Sequence, residues 1–203
     1  MPDLLGGVTT SHLALDDYIA DYQRVAEHLA EPIWKLELGQ VFREPGNPSW
    51  EAYADHRWED ALGQLQKSRE ELSEYFAALR AQGASFFRVR AVTRPLSSYL
   101  QWEAHALNAR YLAGEQIRVV STDAVATLQS GHGEIPELVI LGQLTGYAVD
   151  YGPDGTPRGA TKFDDPDAIA RCSKLIEDLY QQGEEFGAFF QREVLPLAPP
   201  IPP

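Results

Sequence analysis

Five arginines lie close together in the middle of a chain that is otherwise strongly acidic. Between residues 88 and 118 the sequence holds Arg88, Arg90, Arg94, Arg110 and Arg118, against only the two glutamates Glu103 and Glu115. The whole chain of 203 residues carries a formal net charge of −13. A guanidinium group grips a carboxylate or a phosphate through two parallel hydrogen bonds. This segment therefore indicates either buried arginine–glutamate pairs or a site for an anion.

The spacing of these residues predicts where the arginines point. Arg88 and Arg90 are two residues apart on a predicted strand, so their side chains project from the same face. A charge on a half-apolar face needs a partner, because an unpaired buried guanidinium is costly. We expect at least one of Arg88, Arg90 and Arg118 to lie within hydrogen-bonding reach of Glu103 or Glu115.

Two interpretations of the segment stay open. In the first, a buried arginine–glutamate network joins the strand to the helix that follows it. In the second, the arginines line a pocket for an anionic or planar ligand, on which Tyr99 or Trp102 stacks. The candidate ligand-binding residues are Arg88, Arg90, Tyr99, Trp102, Glu103, Glu115 and Arg118.

Several common catalytic motifs are missing from the sequence. It has no Gly-x-x-x-x-Gly-Lys-Ser/Thr loop, no Gly-x-Gly-x-x-Gly fingerprint and no Gly-x-Ser-x-Gly elbow. His132-Gly133-Glu134 matches half of a zinc-deaminase signature, but the other half needs two cysteines and Cys172 is the only one. The histidines also lack the spacing of a local metal clamp. The sequence thus predicts no metal site and no cofactor. His132 stays a candidate because residues 130–133 are predicted to form a mobile loop, and loops often carry functional groups.

The acidic composition bears on partners and compartment. A pI near 4.7 disfavours binding to the phosphate backbone of nucleic acids. The sequence has no apolar run of the roughly 18–20 residues that a membrane helix needs, and its first residues lack the basic region of a signal peptide. A single cysteine cannot form an intrachain disulfide. We therefore expect a cytoplasmic protein that does not contact a membrane.

Strands and helices are predicted from hydrophobic periodicity and from the residues that interrupt it. The predicted strands cover residues 34–42, 86–92, 116–121, 137–141, 146–151 and 158–163, the last two forming a hairpin around the turn at residues 152–155. The predicted helices cover residues 11–29, 57–82 and 95–112, and a last helix begins at Asp165-Pro166. The apolar stripes of the two longest helices are expected to be buried: Leu62, Leu65, Leu72, Phe76, Leu79, Leu175, Leu179 and Phe190.

This order of elements predicts an α/β (α+β) fold, a mixed sheet with packed helices and an N-terminal helical extension. We divide the chain into the extension (1–32), the α/β domain (33–194) and a proline-rich tail (195–203), which is expected to be extended and solvated. Tyr18 and Tyr22 give the extension an apolar face that one small domain need not cover. We therefore expect a homodimer that uses this extension, with the predicted helix over residues 57–82 as a second candidate for the interface.

The arginine-rich segment also carries a family resemblance. The run from Arg88-Val89-Arg90 through Pro95-Leu96-Ser97 and Tyr99 to Trp102-Glu103, followed by Asn108 and by residues 113–118 (Ala-Gly-Glu-Gln-Ile-Arg), resembles an actinobacterial family of domains of unknown function. That family shows a pattern like R-V-R-x-V-x-x-P-L-S-x-Y-x-x-W-E with a later A-G-E-x-I-R. The resemblance spans residues 33–190, and the chain departs from it at residues 137–142 and in the N-terminal helix. It implies no activity, but members are often encoded beside helix-turn-helix regulators.

Two functional hypotheses follow. The first is a non-catalytic regulatory or small-ligand-binding protein that acts through a partner protein, a transcriptional regulator, and binds a small anionic ligand. The alternative is an enzyme of specialised metabolism that acts on a small anionic substrate at the arginine-lined site. Acid–base groups would then come from Tyr99, Glu103, His105 or His132. A nucleic-acid-binding function is disfavoured by the negative charge.

Overall fold

The computed structural model describes residues 4–132 and 135–202, with residues 130–132 described by their backbone alone. The strands are β1 Thr10–Ala14, β2 Ile33–Glu37, β3 Phe86–Val92, β4 Gln116–Ser121, β5 Glu137–Leu141, β6 Thr145–Tyr151, β7 Pro157–Phe163 and β8 Glu184–Glu185. They form one eight-stranded sheet in the order β1-β7-β6-β5-β2-β3-β4-β8. The pairs β2–β3 and β3–β4 are parallel, and the other pairs are antiparallel. The predicted α/β fold with a mixed sheet is confirmed.

Helices cover both faces of this sheet. They are α1 Leu15–Ala26, α2 Pro48–Ala54, α3 Trp58–Lys67, α4 Arg69–Ala81, α5 Ser98–Ala113, α6 Thr122–His132, α7 Pro166–Gln182 and α8 Phe186–Phe189, followed by a π-helical turn at Phe190–Val194. Within the described ranges, no helix combines the length and the apolar character needed to cross a membrane.

The two faces of the sheet differ in their side chains. On β3, Val89 and Ala91 point to the side covered by α6 and α7, which we call the apolar face. Arg88 and Arg90 alternate with them and therefore point to the opposite side, the charged face, which is covered by α1–α5 and α8. The strand alternation thus gathers the charges of β3 on one side.

Several predicted strands are confirmed at their bounds. One predicted helix is divided into two, and one further helix was not predicted. The strands β3, β4 and β5 have the predicted limits. The helix predicted over residues 57–82 is two helices that meet at Ser68. Helix α2 was not predicted, although Asn47 caps it by accepting hydrogen bonds from the amides of Ser49 and Trp50, and Pro48 occupies its first turn.

The ends of the chain differ more from prediction. Residues 10–14, expected to be helical, form the edge strand β1, which pairs with β7 and so joins the N-terminal segment to the sheet. A loop was predicted at residues 130–133, but the backbone of residues 130–132 forms the last part of α6, so the prediction is wrong for these three residues. The side chain of His132 lies outside the described part of the structure. The division into residues 1–32, 33–194 and 195–203 stays a prediction.

The predicted core is confirmed for most of its members. Phe76, Leu79, Leu175, Leu179 and Phe190 are buried. Leu62, Leu65 and Leu72 are only half-buried. Leu65 and Leu72 face a cleft between the sheet and helices α3 and α4 rather than closed packing.

Candidate functional site

The candidate site lies on the charged face, where β2 and β3 run side by side. In the parallel register Lys35 is opposite Arg88 and Glu37 is opposite Arg90. Facing residues on neighbouring strands share one side of a sheet, so four charged side chains converge there. Helix α5 lies above them and adds Glu103 and Arg110.

Arg88 joins three elements of the structure. Its Nη1 donates to Glu37 of β2 and its Nε donates to Glu115, just before β4, at 2.5 Å in each case. The Nε of Arg110 on α5 also donates to Glu115. The expectation that a segment arginine reaches Glu103 or Glu115 is therefore confirmed. Both carboxylate oxygens of Glu115 thus accept hydrogen bonds within this network, and the Glu115 side chain is fully buried.

Arg90 lies deeper than Arg88. Its Nε donates to Glu103 Oε2 at 2.7 Å and its Nη1 donates to the carbonyl oxygen of Ala91 at 2.9 Å. The residue is 1% exposed, and its Nη2 has no hydrogen-bond partner among the described residues. Arg90 is therefore a buried support for Glu103 and cannot itself present a charge to solvent.

A tyrosine hydroxyl lies between two carboxyl groups above Arg90. The Tyr99 hydroxyl is 2.9 Å from Glu44 Oε1 and 3.2 Å from Glu103 Oε1. One hydroxyl has one proton to donate, so a protonated carboxyl group is needed to complete both hydrogen bonds. Burial raises the pKa of Glu103 to about 7, although the charge of Arg90 acts to lower it. Burial also raises the pKa of Glu44. The arrangement therefore holds an exchangeable proton near neutral pH.

The remaining charges are arranged in two layers. The side chains of Lys35 and Arg110 are 26% and 28% exposed, whereas those of their partners Glu37 and Glu115 are 8% and 0% exposed. Burial alone would raise the pKa of Glu37 and of Glu115, but the neighbouring cations hold both below their usual value. Ionised carboxylates thus lie inside, and cations face outward.

These cations form the floor of an open cleft with two lobes. The aromatic lobe, about 540 Å³, has walls formed by Tyr18, Tyr22, Tyr75 and Phe86. The acidic lobe, about 410 Å³, is lined by Glu37, Glu44, Tyr99, Glu103 and Tyr151. Both lobes share Lys35, Arg88 and Arg110 on the floor and Ser68 and Leu72 opposite them. The break between α3 and α4 therefore lies directly above the ion network.

Two predicted site residues lie elsewhere, and the side chain of a third is outside the described part of the structure. Trp102 is fully buried against α2, where its Nε1 donates to Ser49 Oγ at 3.0 Å, so it is not placed to stack on a ligand in the cleft. Arg118 is paired with Val89 in the sheet register and so points to the apolar-face side, 5.4 Å above the ring of Tyr180. His132 cannot be placed, because its side chain is not described.

His105, named as an acid–base candidate, also lies outside the cleft. Its ring packs edge-on between Trp58 and Phe190, with both centroids 5.1 Å away. Burial lowers the pKa of His105. The imidazole is therefore a packing group of the helical layer.

Sequence reasoning missed several residues that line the cleft. Lys35 and Glu37 alternate with Trp34 and Leu36 on β2. This alternation is equally typical of charged residues that face solvent, so it did not show that helices cover them. Arg110 was counted in the charged segment but not selected. The tyrosines of α1 and α4 come from distant segments, and no local spacing relates them.

No arrangement suited to a metal ion is present among the described residues. Within those ranges, no three His, Cys, Asp or Glu side chains group closely enough to hold a metal ion.

Comparison with known proteins gives a family and no activity. No curated protein matches the chain significantly. A family model described as a domain of unknown function, DUF6879, matches residues 20–191. This match contains the whole arginine-rich segment, the acidic lobe, the aromatic lobe except Tyr18 and Ile19, and all strands except β1. The chain therefore belongs to the DUF6879 family.

Proposed function

We propose that this protein is a non-catalytic binding protein that takes up a small anionic ligand with a planar body in the aromatic lobe. The observation that carries the proposal is the layered ion network, in which buried carboxylates hold cations at the floor of an open cleft. The partly exposed cations face a cavity of ligand size, and a few placed charged groups in such a cavity fix the orientation of a bound ligand.

The floor of the aromatic lobe favours an anion. Lys35 and Arg110 keep part of their side chains exposed there, and Arg88 lies between their carboxylate partners. A hydrogen bond to a charged group contributes about 1.5–3 kcal/mol when it is well formed. Cations that are already fixed by Glu37 and Glu115 lose little conformational freedom on binding, which strengthens the interaction.

The walls of the same lobe favour a flat, apolar body. Tyr18 packs on Tyr147 of the sheet at 5.1 Å between centroids, and the Tyr22 and Tyr75 hydroxyls are 3.5 Å apart across the lobe. Aromatic walls with a few polar groups are typical of small-molecule sites. An aromatic carboxylate combines both features.

The regulatory part of the proposal depends on the family resemblance. We propose that the ligand-bound protein acts in the cytoplasm on a partner protein, a transcriptional regulator, as the resemblance to an actinobacterial family encoded beside such regulators implies. The net charge of −13 supports a protein partner over direct binding to nucleic acid.

The binding proposal is tested by isothermal titration calorimetry with acetate, phosphate and benzoate. We expect benzoate to bind most tightly and Lys35→Met to weaken it by about tenfold or more, since a lost contact of about 1.4 kcal/mol has that effect. Lys174→Met is the matched control, because Lys174 is 68% exposed and pairs only along its own helix with Asp178. Equal benzoate affinities for the wild type and Lys35→Met would contradict the proposal, as would the absence of heat with every anion.

One observation favours an enzyme as the second candidate. The hydroxyl–carboxyl chain of Glu44, Tyr99 and Glu103 opens to the acidic lobe and holds a proton near neutral pH. A group with a pKa near the working pH is suited to general acid–base catalysis. Chemical change of a bound aromatic carboxylate, detected by mass spectrometry and abolished by Tyr99→Phe, would establish this alternative.

A homodimer through α1 is also part of the proposal. Tyr18 contacts Tyr147 and Tyr22 contacts Tyr75 within the chain, and both tyrosines remain half-buried. The exposed Ile19 of the same helix adds an apolar side chain to this face. Light scattering over a range of protein concentrations measures the association.

A further inference from the structure

The proline-rich segment returns to the body of the protein through one residue. Pro202 is buried, whereas the neighbouring Ile201 is 80% exposed and Leu195 and Leu197 are also exposed. The expectation of a fully solvated segment is thus wrong at Pro202. A single proline ring is removed from solvent while larger apolar side chains beside it are not, which indicates a pocket that fits proline.

The pocket around Pro202 has aromatic walls. It has a volume of about 480 Å³, and its rings are Phe42, Trp50, Tyr53 and Tyr99. Grooves lined by aromatic rings recognise proline-rich segments, because the rings pack on pyrrolidine faces of a polyproline II helix that needs little ordering. We call this site the proline pocket.

Two buried groups that line the proline pocket have unused donors. The Nε1 of Trp50 and the hydroxyl of Tyr53 have no hydrogen-bond partner among the described residues. A polyproline II segment has no internal hydrogen bonds, so its carbonyl oxygens are free to accept from such a donor. Pro202 of the chain's own segment lines one side of this pocket and leaves the buried Trp50 donor unsatisfied, which costs free energy.

We propose that the proline pocket is an exchangeable recognition site for a proline-rich segment of a partner protein. In the unbound protein Pro202 of the same chain packs against the wall of this pocket. A partner segment in the polyproline II conformation displaces Pro202 and accepts the Trp50 hydrogen bond. The proposal is independent of the ligand proposed for the aromatic lobe, since it concerns a different cavity.

The position of the proline pocket adds a physical link to the cleft. Phe42 and Tyr99 line both the proline pocket and the acidic lobe. Their rings are 5.9 Å apart and meet edge-on. The Tyr99 hydroxyl bonds to Glu44 and Glu103, so one residue contacts both sites.

The test uses a synthetic peptide with the sequence of residues 195–203 and the full-length chain. Pro202→Gly removes the internal ring without adding a charge, and Ile201→Gly is the matched control at an exposed neighbour. We expect Pro202→Gly to bind the peptide about tenfold or more tightly than the wild type, because an internal competitor acts at a high effective concentration. Ile201→Gly should bind like the wild type.

A second variant tests the pocket itself. Trp50→Phe in the Pro202→Gly background keeps an aromatic ring and removes the donor, and we expect peptide affinity to fall about tenfold. Circular dichroism confirms that each variant is folded. The proposal is overturned if folded Pro202→Gly fails to bind the peptide, or if Trp50→Phe leaves its affinity unchanged. A wild-type dimer that Pro202→Gly abolishes would also overturn it and assign the pocket to a second copy.

Discussion

Helices lie on both faces of the central sheet, but the two faces are built in different ways. On the apolar face, Val89 and Ala91 of β3 pack against α7 and need only shape and volume to match. On the charged face, Arg88 and Arg90 from the same strand are also buried, and each needs a carboxylate supplied by another element. Burial alone therefore does not distinguish a core from a candidate site. The demand for partners does.

This difference also explains where the cleft lies. The apolar face closes into one continuous core with α6 and α7. On the charged face the outer cations Lys35 and Arg110 remain partly exposed, and helices α3 and α4 meet above them at Ser68 without covering them. We therefore expect substitutions on the charged face to lower stability by leaving buried charges without partners. Substitutions on the apolar face should lower stability through lost packing.

The largest effect is expected at Glu103. Glu103→Ala leaves the buried guanidinium of Arg90 without its carboxylate, and removal of one partner of a buried pair costs about 3–5 kcal/mol of unfolding free energy. Arg118→Ala is the matched loss of charge on the opposite side of the sheet, where the half-buried Arg118 lies over Tyr180. We expect it to cost about 1 kcal/mol or less. Urea denaturation measures both, and similar losses for the two variants would contradict the account.

A smaller effect is expected at Trp102. Trp102→Phe removes the hydrogen bond to Ser49 Oγ and leaves this buried hydroxyl without the indole donor. A loss of about 1–3 kcal/mol of stability is expected, with benzoate affinity unchanged. Thermal unfolding of Trp102→Phe measures the loss of stability, and calorimetry measures the affinity of the same variant for benzoate. Weaker benzoate binding by a stable Trp102→Phe protein would show that Trp102 belongs to the ligand site.

A third effect concerns pH. Because the pKa of Glu103 is raised to about 7 from an ordinary value of 4.5, the folded chain binds this proton more tightly than the unfolded chain. Its contribution to stability is present below the unfolded pKa and is lost as the pH rises through the folded pKa. Glu37 and Glu115, with lowered pKa values, act in the opposite direction and lose their contribution on acidification.

We therefore expect Glu103→Gln to make stability less dependent on pH between the unfolded and folded pKa values of Glu103. Urea denaturation at about pH 5 and about pH 8 brackets this window. An unchanged difference in stability between these two conditions would show that Glu103 holds no proton there. Glu59→Gln, on the outer surface of α3, serves as the control.

The central strands and the ion pairs could be predicted because their signals are local. The alternation in Phe86–Val92 places Arg88 and Arg90 on one face, and the cost of burying them requires nearby carboxylates. The prediction of Glu103 and Glu115 as partners follows from these two facts. Arg118 was grouped with Arg88 and Arg90, but the sheet register turns its side chain to the other face, and that register depends on pairing between distant segments.

Other features depended on contacts that the sequence does not display. Residues 10–14 are a strand because β7 offers an edge, and nothing in Thr10–Ala14 itself favours that over a helix. Helix α5 is buried on most sides, so no apolar stripe showed that Trp102 faces α2 while Glu103 faces Arg90. No glycine or proline lies at the break at Ser68, so the sequence contains no local signal for it. The start of α2 is different, because Asn47 followed by Pro48 is a local signal that is typical of a helix N-terminus.

The central claim is that the layered ion network presents cations to a small anion in the aromatic lobe. Diffraction from crystals soaked with 4-bromobenzoate tests it most directly, since the anomalous signal of bromine locates the ligand. We predict a bromine peak between the tyrosine walls, with the carboxylate within hydrogen-bonding distance of Lys35 or Arg110. A saturated soak that leaves the aromatic lobe empty, or that places bromine only outside the cleft, would contradict the account.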